Sequence, residues 1–209
     1  MTEVLIISNY FDIISLLYLD RTILKLKKLI LFLLLVSSLF AEARVYMGMS
    51  AGAFHETFST VEATNSSVIA TLKIGYGDIK AYAVEFSVDY AYNRSKIFST
   101  SADVSRDGNK YGFNVSLLKS FDWDIYILPF ARVGFGTGFL DIDRALQKNL
   151  SYGSFQGTLG TFVPVSDDFD LELGYEIRGT SYEAINTIVT KTSYGSVSNI
   201  AYMGINYRF

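Results

Sequence analysis

Between Tyr82 and Asn93 the chain alternates strictly between two faces. Tyr82, Val84, Phe86, Val88, Tyr90 and Tyr92 occupy one; Ala83, Glu85, Ser87, Asp89, Ala91 and Asn93 occupy the other. Successive side chains of a β-strand point to opposite sides, so this segment is a strand with one apolar and one charged face. Two solutions satisfy such a strand. In a secreted soluble barrel the Tyr, Val and Phe face turns inward and the charges outward. In a transmembrane barrel the apolar face meets lipid and the polar face lines the lumen.

The same split recurs along the chain. Val45, Met47, Met49, Ala51 and Ala53 oppose Tyr46, Gly48, Ser50 and Gly52. Val68, Ala70, Leu72, Ile74 and Tyr76 oppose Thr71, Lys73 and Gly75, and Phe113, Val115 and Leu117 oppose Gly112, Asn114 and Ser116. Ile127, Ala131, Val133 and Phe135 oppose Phe130, Arg132, Gly134 and Gly136. Phe155, Leu159 and Val163 oppose Gln156, Thr158 and Gly160. Leu171, Leu173, Tyr175 and Ile177 oppose Asp170, Glu172, Glu176 and Arg178. The last segment sets Ala201, Met203, Ile205, Tyr207 and Phe209 against Tyr202, Gly204, Asn206 and Arg208. These segments predict eight strands of roughly ten residues, the length a tilted strand needs to cross a bilayer.

Connections alternate in length as well. Residues 77–79, 121–124 and 165–168 predict short turns; 55–67, 94–110, 140–152 and 181–196 predict long polar loops. Up-and-down outer-membrane barrels are threaded this way, with short periplasmic turns, long external loops and both termini periplasmic. Tyr46, Tyr76, Tyr82, Tyr92, Tyr111, Trp123, Tyr126, Tyr175 and Tyr207 fall near strand ends, where amphipathic rings sit at headgroup level. Phe58, Ile97, Phe98, Ile185, Ile188 and Val189 punctuate the long loops. They predict loops that pack on one another or extend the barrel as hairpins.

Ahead of the strands, Lys25, Lys27 and Lys28 precede the apolar run Leu29 to Phe40, and Ala41-Glu42-Ala43 follows it. A basic start, a short apolar core and a small-x-small site form a secretory signal peptide, cleaved after Ala41 or Ala43. Residues 1–43 are therefore read as an N-terminal extension plus signal peptide, with the signal itself at 24–43, and residues 44–209 as the barrel. Glu3, Asp12 and Asp20 fit a signal poorly, which places the expected translation start near Leu24.

Composition closes off other chemistries. The chain has no Cys and one His, so thiolate zinc sites, cysteine nucleophiles and multi-histidine metal sites are excluded. A net charge of −3 excludes the basic face of a nucleic-acid binder. Fifteen Tyr and 16 Phe against one Trp, with 16 Gly and 2 Pro, agree with a β-rich fold. No cofactor is expected.

The chain ends in Asn206-Tyr207-Arg208-Phe209, with Met203, Ile205, Tyr207 and Phe209 on one face. This resembles the C-terminal signal by which bacterial outer-membrane proteins are recognised for barrel assembly. With the signal peptide and eight strands, residues 44–209 resemble the family of the OmpA transmembrane domain and OmpX-like outer-membrane β-barrels. The resemblance implies an eight-stranded antiparallel up-and-down transmembrane barrel. Its expected partners are outer-membrane lipid and lipopolysaccharide, the barrel-assembly machinery, and a surface ligand reached through the external loops. Without a periplasmic peptidoglycan-binding domain after the barrel, no cell-wall tether is expected.

Eight strands leave a lumen just wide enough for side chains to fill. Buried charges require partners, so Lys73, Arg132, Arg178 and Arg208 are expected to form a lumen network with Glu85, Asp89, Glu172 and Glu176, structural or pore-lining. Inward glycines, among them Gly48, Gly75 and Gly134, are expected to make room for Arg132, Arg178, Tyr202 and Arg208. The expected function is structural and non-enzymatic, with loops for adhesion. A narrow porin-like channel is the alternative, and a lipid-modifying enzyme the third reading. The enzyme would need a Ser and a carboxylate within reach of His55. Ser116-x-x-Lys119 is not a catalytic pair, because positions three apart on a strand face opposite ways. Gly134 to Gly138 fits no nucleotide loop, Asp141-Ile142-Asp143 lacks further acidic ligands, and Asp107-Gly108 predicts a tight turn at the tip of the second external loop.

Overall fold

The computed structural model describes residues 43–59, 63–144, 147–186 and 191–209. The expected signal peptide and its cleavage site after Ala41 lie outside the described residues, as do Ile188 and Val189.

The eight strands are β1 (Arg44–Phe58), β2 (Ala63–Gly77), β3 (Tyr82–Ala91), β4 (Lys110–Ser120), β5 (Leu128–Asp141), β6 (Asn149–Pro164), β7 (Phe169–Asn186) and β8 (Lys191–Arg208). Each pairs with the next, and β1 pairs antiparallel with β8, closing the barrel in sequence order. Closure leaves no strand edge unpaired, which in lipid would cost several kcal/mol for each unsatisfied N–H or C=O.

The alternating faces fall as a transmembrane barrel requires. Phe135 and Leu159, on the outer wall, are 65% and 70% exposed, whereas inward Arg132 and Glu172 are 7% and 1% exposed. A soluble barrel would reverse these values, so that solution is overturned. Met203, Ile205, Tyr207 and Phe209 all lie on the outer face of β8 and its end.

At the terminal end the turns are short. Gly77 adopts a φ of +149°, and a Cβ there would run into the Tyr82 carbonyl, so glycine is required where β2 turns into β3. Asp124 takes the left-handed conformation (φ 57°) between β4 and β5.

The opposite end departs from expectation. Two of the four predicted long loops are mostly strand, with β1 and β2 paired as far as Phe58 and Ala63 and β7 and β8 as far as Asn186 and Lys191, and the third is shortened by pairing of β5 and β6 as far as Asp141 and Asn149. Interstrand hydrogen bonds continue past the apolar band because polar side chains there do not prevent pairing. The connection between β3 and β4 is long and irregular. It folds inward, and Phe98 is fully buried in a cluster with Phe58, Leu140, Ile142, Leu150, Tyr152, Tyr182 and Ile185. Phe58 and Phe98 meet edge-to-face at 5.5 Å, and Phe98 and Tyr194 at 5.1 Å.

Two further expectations are corrected. Asp107 is not at a loop tip: it is 1% exposed, and its carboxylate accepts backbone N–H groups of Ile97, Phe98 and Ser99. An ionised carboxylate satisfying three donors is worth more here than a solvated turn. Tyr46 is not in the aromatic belt. Its parity turns it inward, where it is fully buried and its hydroxyl donates to Glu85 at 2.6 Å.

Candidate functional site

The lumen is a stack of alternating apolar and charged layers. At the terminal end Tyr46, Ile79, Ala83, Leu118, Leu128, Phe130 and Phe162 form an apolar plug. Beside it Arg208 Nη2 pairs with Asp170 at 3.0 Å.

Above the plug four charges meet. Arg132 Nη2 donates to Glu85 Oε1 at 3.1 Å and to Glu172 Oε1 at 2.9 Å. Lys73 Nζ donates to Glu172 Oε2 and lies 3.5 Å from Glu85. Tyr202 and Asn206 donate to Glu172, each at 2.9 Å. Two cations and two anions cancel, and the surrounding donors satisfy the remaining lone pairs. This is the condition under which a buried ion cluster is tolerated.

A second cluster joins Arg178 to Asp89 and Glu176, each at 2.7 Å. Asn114 donates to Asp89 at 2.9 Å and Thr71 at 2.7 Å. Between the two clusters lies a polar cavity of about 40 Å³, lined by Thr71, Gln156 and Tyr202 among others. That volume suits only a few waters. Phe54, Ile69, Ala91 and Ile200 form an apolar layer, and Glu56 forms a further polar one. Glu56 Oε1 accepts from Lys110 at 2.9 Å, Tyr182 at 2.7 Å and Ser196 at 2.5 Å. The Lys110 ammonium also lies 4.7 Å from the Tyr152 ring centre, within cation–π range. Over this sits the Phe98 cluster.

All eight residues expected in the lumen are inward. They do not form one network. Lys73, Glu85, Arg132 and Glu172 form one cluster, Asp89, Glu176 and Arg178 another, and Arg208 joins neither, pairing with Asp170 instead. The separation follows from height: Arg208 ends β8 beside the terminal plug. Tyr202 has the space expected of it, since a Cβ on Gly52 or Gly174 would run into it, whereas the ring that Gly75 accommodates is that of Tyr46 and not an arginine.

The pair Glu56–Lys110 was missed because residues 55–67 and 94–110 read as loop. Extending the parity of Gly52 and Phe54 by one step would have placed Glu56 inward.

His55 faces outward and its Nδ1 lies 2.7 Å from Ser66 Oγ. Its neighbour on β8 is Asn199, an amide. Among the described residues no carboxylate contacts His55, and no cluster of His, Asp and Glu suited to a metal ion occurs.

No protein-family model and no curated protein matches the chain. Solved structures do. Neisserial surface protein A is similar with a TM-score of 0.59 at 16% identity, over 80% of this chain and 99% of that one. The outer membrane protein OprG of Pseudomonas aeruginosa aligns with a TM-score of 0.46 at 9% identity, over 79% and 96% of the two chains. Ail, the attachment invasion locus protein of Yersinia pestis, aligns at 0.44 and 16% identity, over 79% and 99%. The fold is therefore that of a small eight-stranded outer-membrane β-barrel, as the strand count and C-terminus led one to expect.

Proposed function

We propose that this chain is an integral bacterial outer-membrane protein, with both termini periplasmic and the Phe98 end facing outward, whose role is structural. It is not an enzyme, and its external surface serves adhesion or another contact. The observation that carries this reading is the filling of the lumen. Each charged side chain that could line a pore is spent on another side chain, and both ends are stoppered by apolar clusters. An ion crossing this interior would have to break a paired, desolvated cluster, which costs several kcal/mol.

A narrow channel is the second reading, favoured by the polar cavity between the two charge clusters. Planar-bilayer recording of folded protein separates the two. Silence from wild type, with steps appearing only when Phe98→Ala and Arg132→Ala are combined, supports the structural role. Discrete steps from wild type that change with Arg132→Ala alone would make the protein a pore and overturn it.

A further inference from the structure

The charged layers of the lumen do not all balance. Lys73 and Arg132 offset Glu85 and Glu172, Lys110 offsets Glu56, and Arg208 offsets Asp170. In the remaining layer one cation, Arg178, serves two carboxylates, Asp89 and Glu176. All three residues are buried. Among the described residues neither carboxylate forms an ion pair with any other cation. This layer therefore carries one negative charge more than it can pair within itself. A buried charge without a counter-charge is strongly destabilising, so a further positive charge is required here.

The two carboxylates are not equally supplied. Asp89 accepts from Thr71 at 2.7 Å, from Asn114 at 2.9 Å and from Arg178 at 2.7 Å. Glu176 Oε1 takes the Arg178 guanidinium, but its Oε2 accepts from Thr158 at 3.3 Å, at the long end of the range. The shortfall lies at Glu176.

Beside Glu176 stands a second group short of a partner. The register sets Gln156 on β6 opposite Arg178 on β7, and Thr158 opposite Glu176. Gln156 and Glu176 are therefore diagonal neighbours on the inner face. Gln156 is 4% exposed, and its Oε1 has no hydrogen-bond partner among the described residues. Buried amide oxygens are nearly always satisfied. Both residues line the polar cavity of about 40 Å³, as do Ser87 and Ser116. Excess negative charge, an oxygen without a donor and a polar space meet at one place.

We infer that this cavity holds one monovalent alkali cation, coordinated by the Glu176 carboxylate and Gln156 Oε1, with water and the Ser87 and Ser116 hydroxyls completing its oxygen shell. Carboxylate, carbonyl and water oxygens are the ligands hard cations take. Charge decides the valence. One positive unit balances the layer, whereas a divalent ion would invert the imbalance. The donor set agrees, since among the described residues no group of three or more His, Asp and Glu suited to a metal ion occurs. Volume agrees too, because the space admits an ion with one or two waters and not a fully hydrated one. Phe54, Ile69, Ala91 and Ile200 close the lumen on one side, and the plug containing Phe130 and Phe162 closes it on the other. The ion is a resident of the closed interior and not a permeant. The inference goes beyond the structural role proposed above and is independent of which end of the barrel faces outward.

The test refolds the full chain from urea into lipid vesicles in sodium, potassium or N-methylglucamine chloride at equal ionic strength. Refolding lets the ion enter before the lumen closes, and N-methylglucamine is too large for the cavity. Urea titration reads the stability. Wild type is expected to have a folding constant about tenfold or more larger in saturating sodium or potassium than in N-methylglucamine, and the more effective of the two identifies the ion. Glu176→Gln removes the excess charge and keeps the shape, and is expected to be equally stable in all three salts. Gln156→Leu keeps the charge and removes the oxygen, and is expected to need severalfold more alkali cation for the same gain. Lys119→Ala, beside Tyr82 on the outer wall, is expected to keep the wild-type response. Equal stability of wild type in the three salts would overturn the site, and if that stability fell as pH rose, a proton held in the folded state would be the balancing charge instead. An undiminished alkali response in Glu176→Gln, or in Gln156→Leu should the first variant not fold, would place the effect outside this cavity and overturn the assignment.

Discussion

The carboxylate of Asp107 accepts the backbone N–H of Phe98 at 3.0 Å, and by that bond holds a fully buried ring over the mouth of the barrel. The residues between them turn back so that one side chain satisfies three consecutive amides, those of Ile97, Phe98 and Ser99. Replacing Asp107 with Ala leaves those donors with neither water nor partner, at about 1–3 kcal/mol for an unsatisfied buried group. The connection between β3 and β4 should then open while the barrel stays closed. Limited proteolysis should cut within 92–109 in Asp107→Ala and spare wild type, with heat modifiability unchanged in both. Equal resistance would show that the aromatic contacts alone hold the cap.

Arg132 bridges Glu85 and Glu172. Arg132→Ala leaves a net negative buried cluster and should destabilise the barrel by about 3–5 kcal/mol. Arg132→Met combined with Glu172→Gln restores neutrality around Lys73 and Glu85 and should recover a large part of that loss. Urea unfolding in lipid vesicles reads both. Additive losses would mean that the charges act independently.

Gly75 and Tyr46 share one space, since a Cβ on Gly75 would run into the ring. Gly75→Ala should cost about 1–3 kcal/mol from overpacking. Shortening the neighbour in Gly75→Ala/Tyr46→Ala removes that clash but strips Glu85 of a donor. The signature is a double variant less unstable than the sum of the two single changes, measured by the same unfolding titration.

Val133 faces outward near the middle of β5 and is 52% exposed. If this wall meets hydrocarbon, Val133→Arg should cost about 2–4 kcal/mol in a bilayer, as expected for arginine near the midplane. The same change at exposed Ser151, near the outer rim, should be close to neutral. Equal tolerance at both sites would contradict a lipid-facing wall.

Which face of each strand is apolar was legible from the residues, because side-chain parity is a local property with a period of two. Lys73, Glu85, Asp89, Arg132, Glu172, Glu176, Arg178 and Arg208 could therefore be assigned to one polar side of the sheet before any pairing was known, and the structure places that side inward. Strand ends were less legible. His55 to Phe58 and Ala63 to Ser67 carry polar residues that suit a loop as well as an extended hairpin, and only the interstrand hydrogen bonds chose the hairpin.

The sequence by itself determined the alternation, the eight strands and the shared face of these charges, all of which depend on neighbours one or two residues apart. Tertiary structure decided that Lys73 meets Glu172, 99 residues away, that Arg208 is left with Asp170, and that Phe98 seals the mouth. Those partnerships depend on register and closure around the whole barrel. A shift of one strand by two residues preserves every face and changes every pairing height, so no local pattern can specify them.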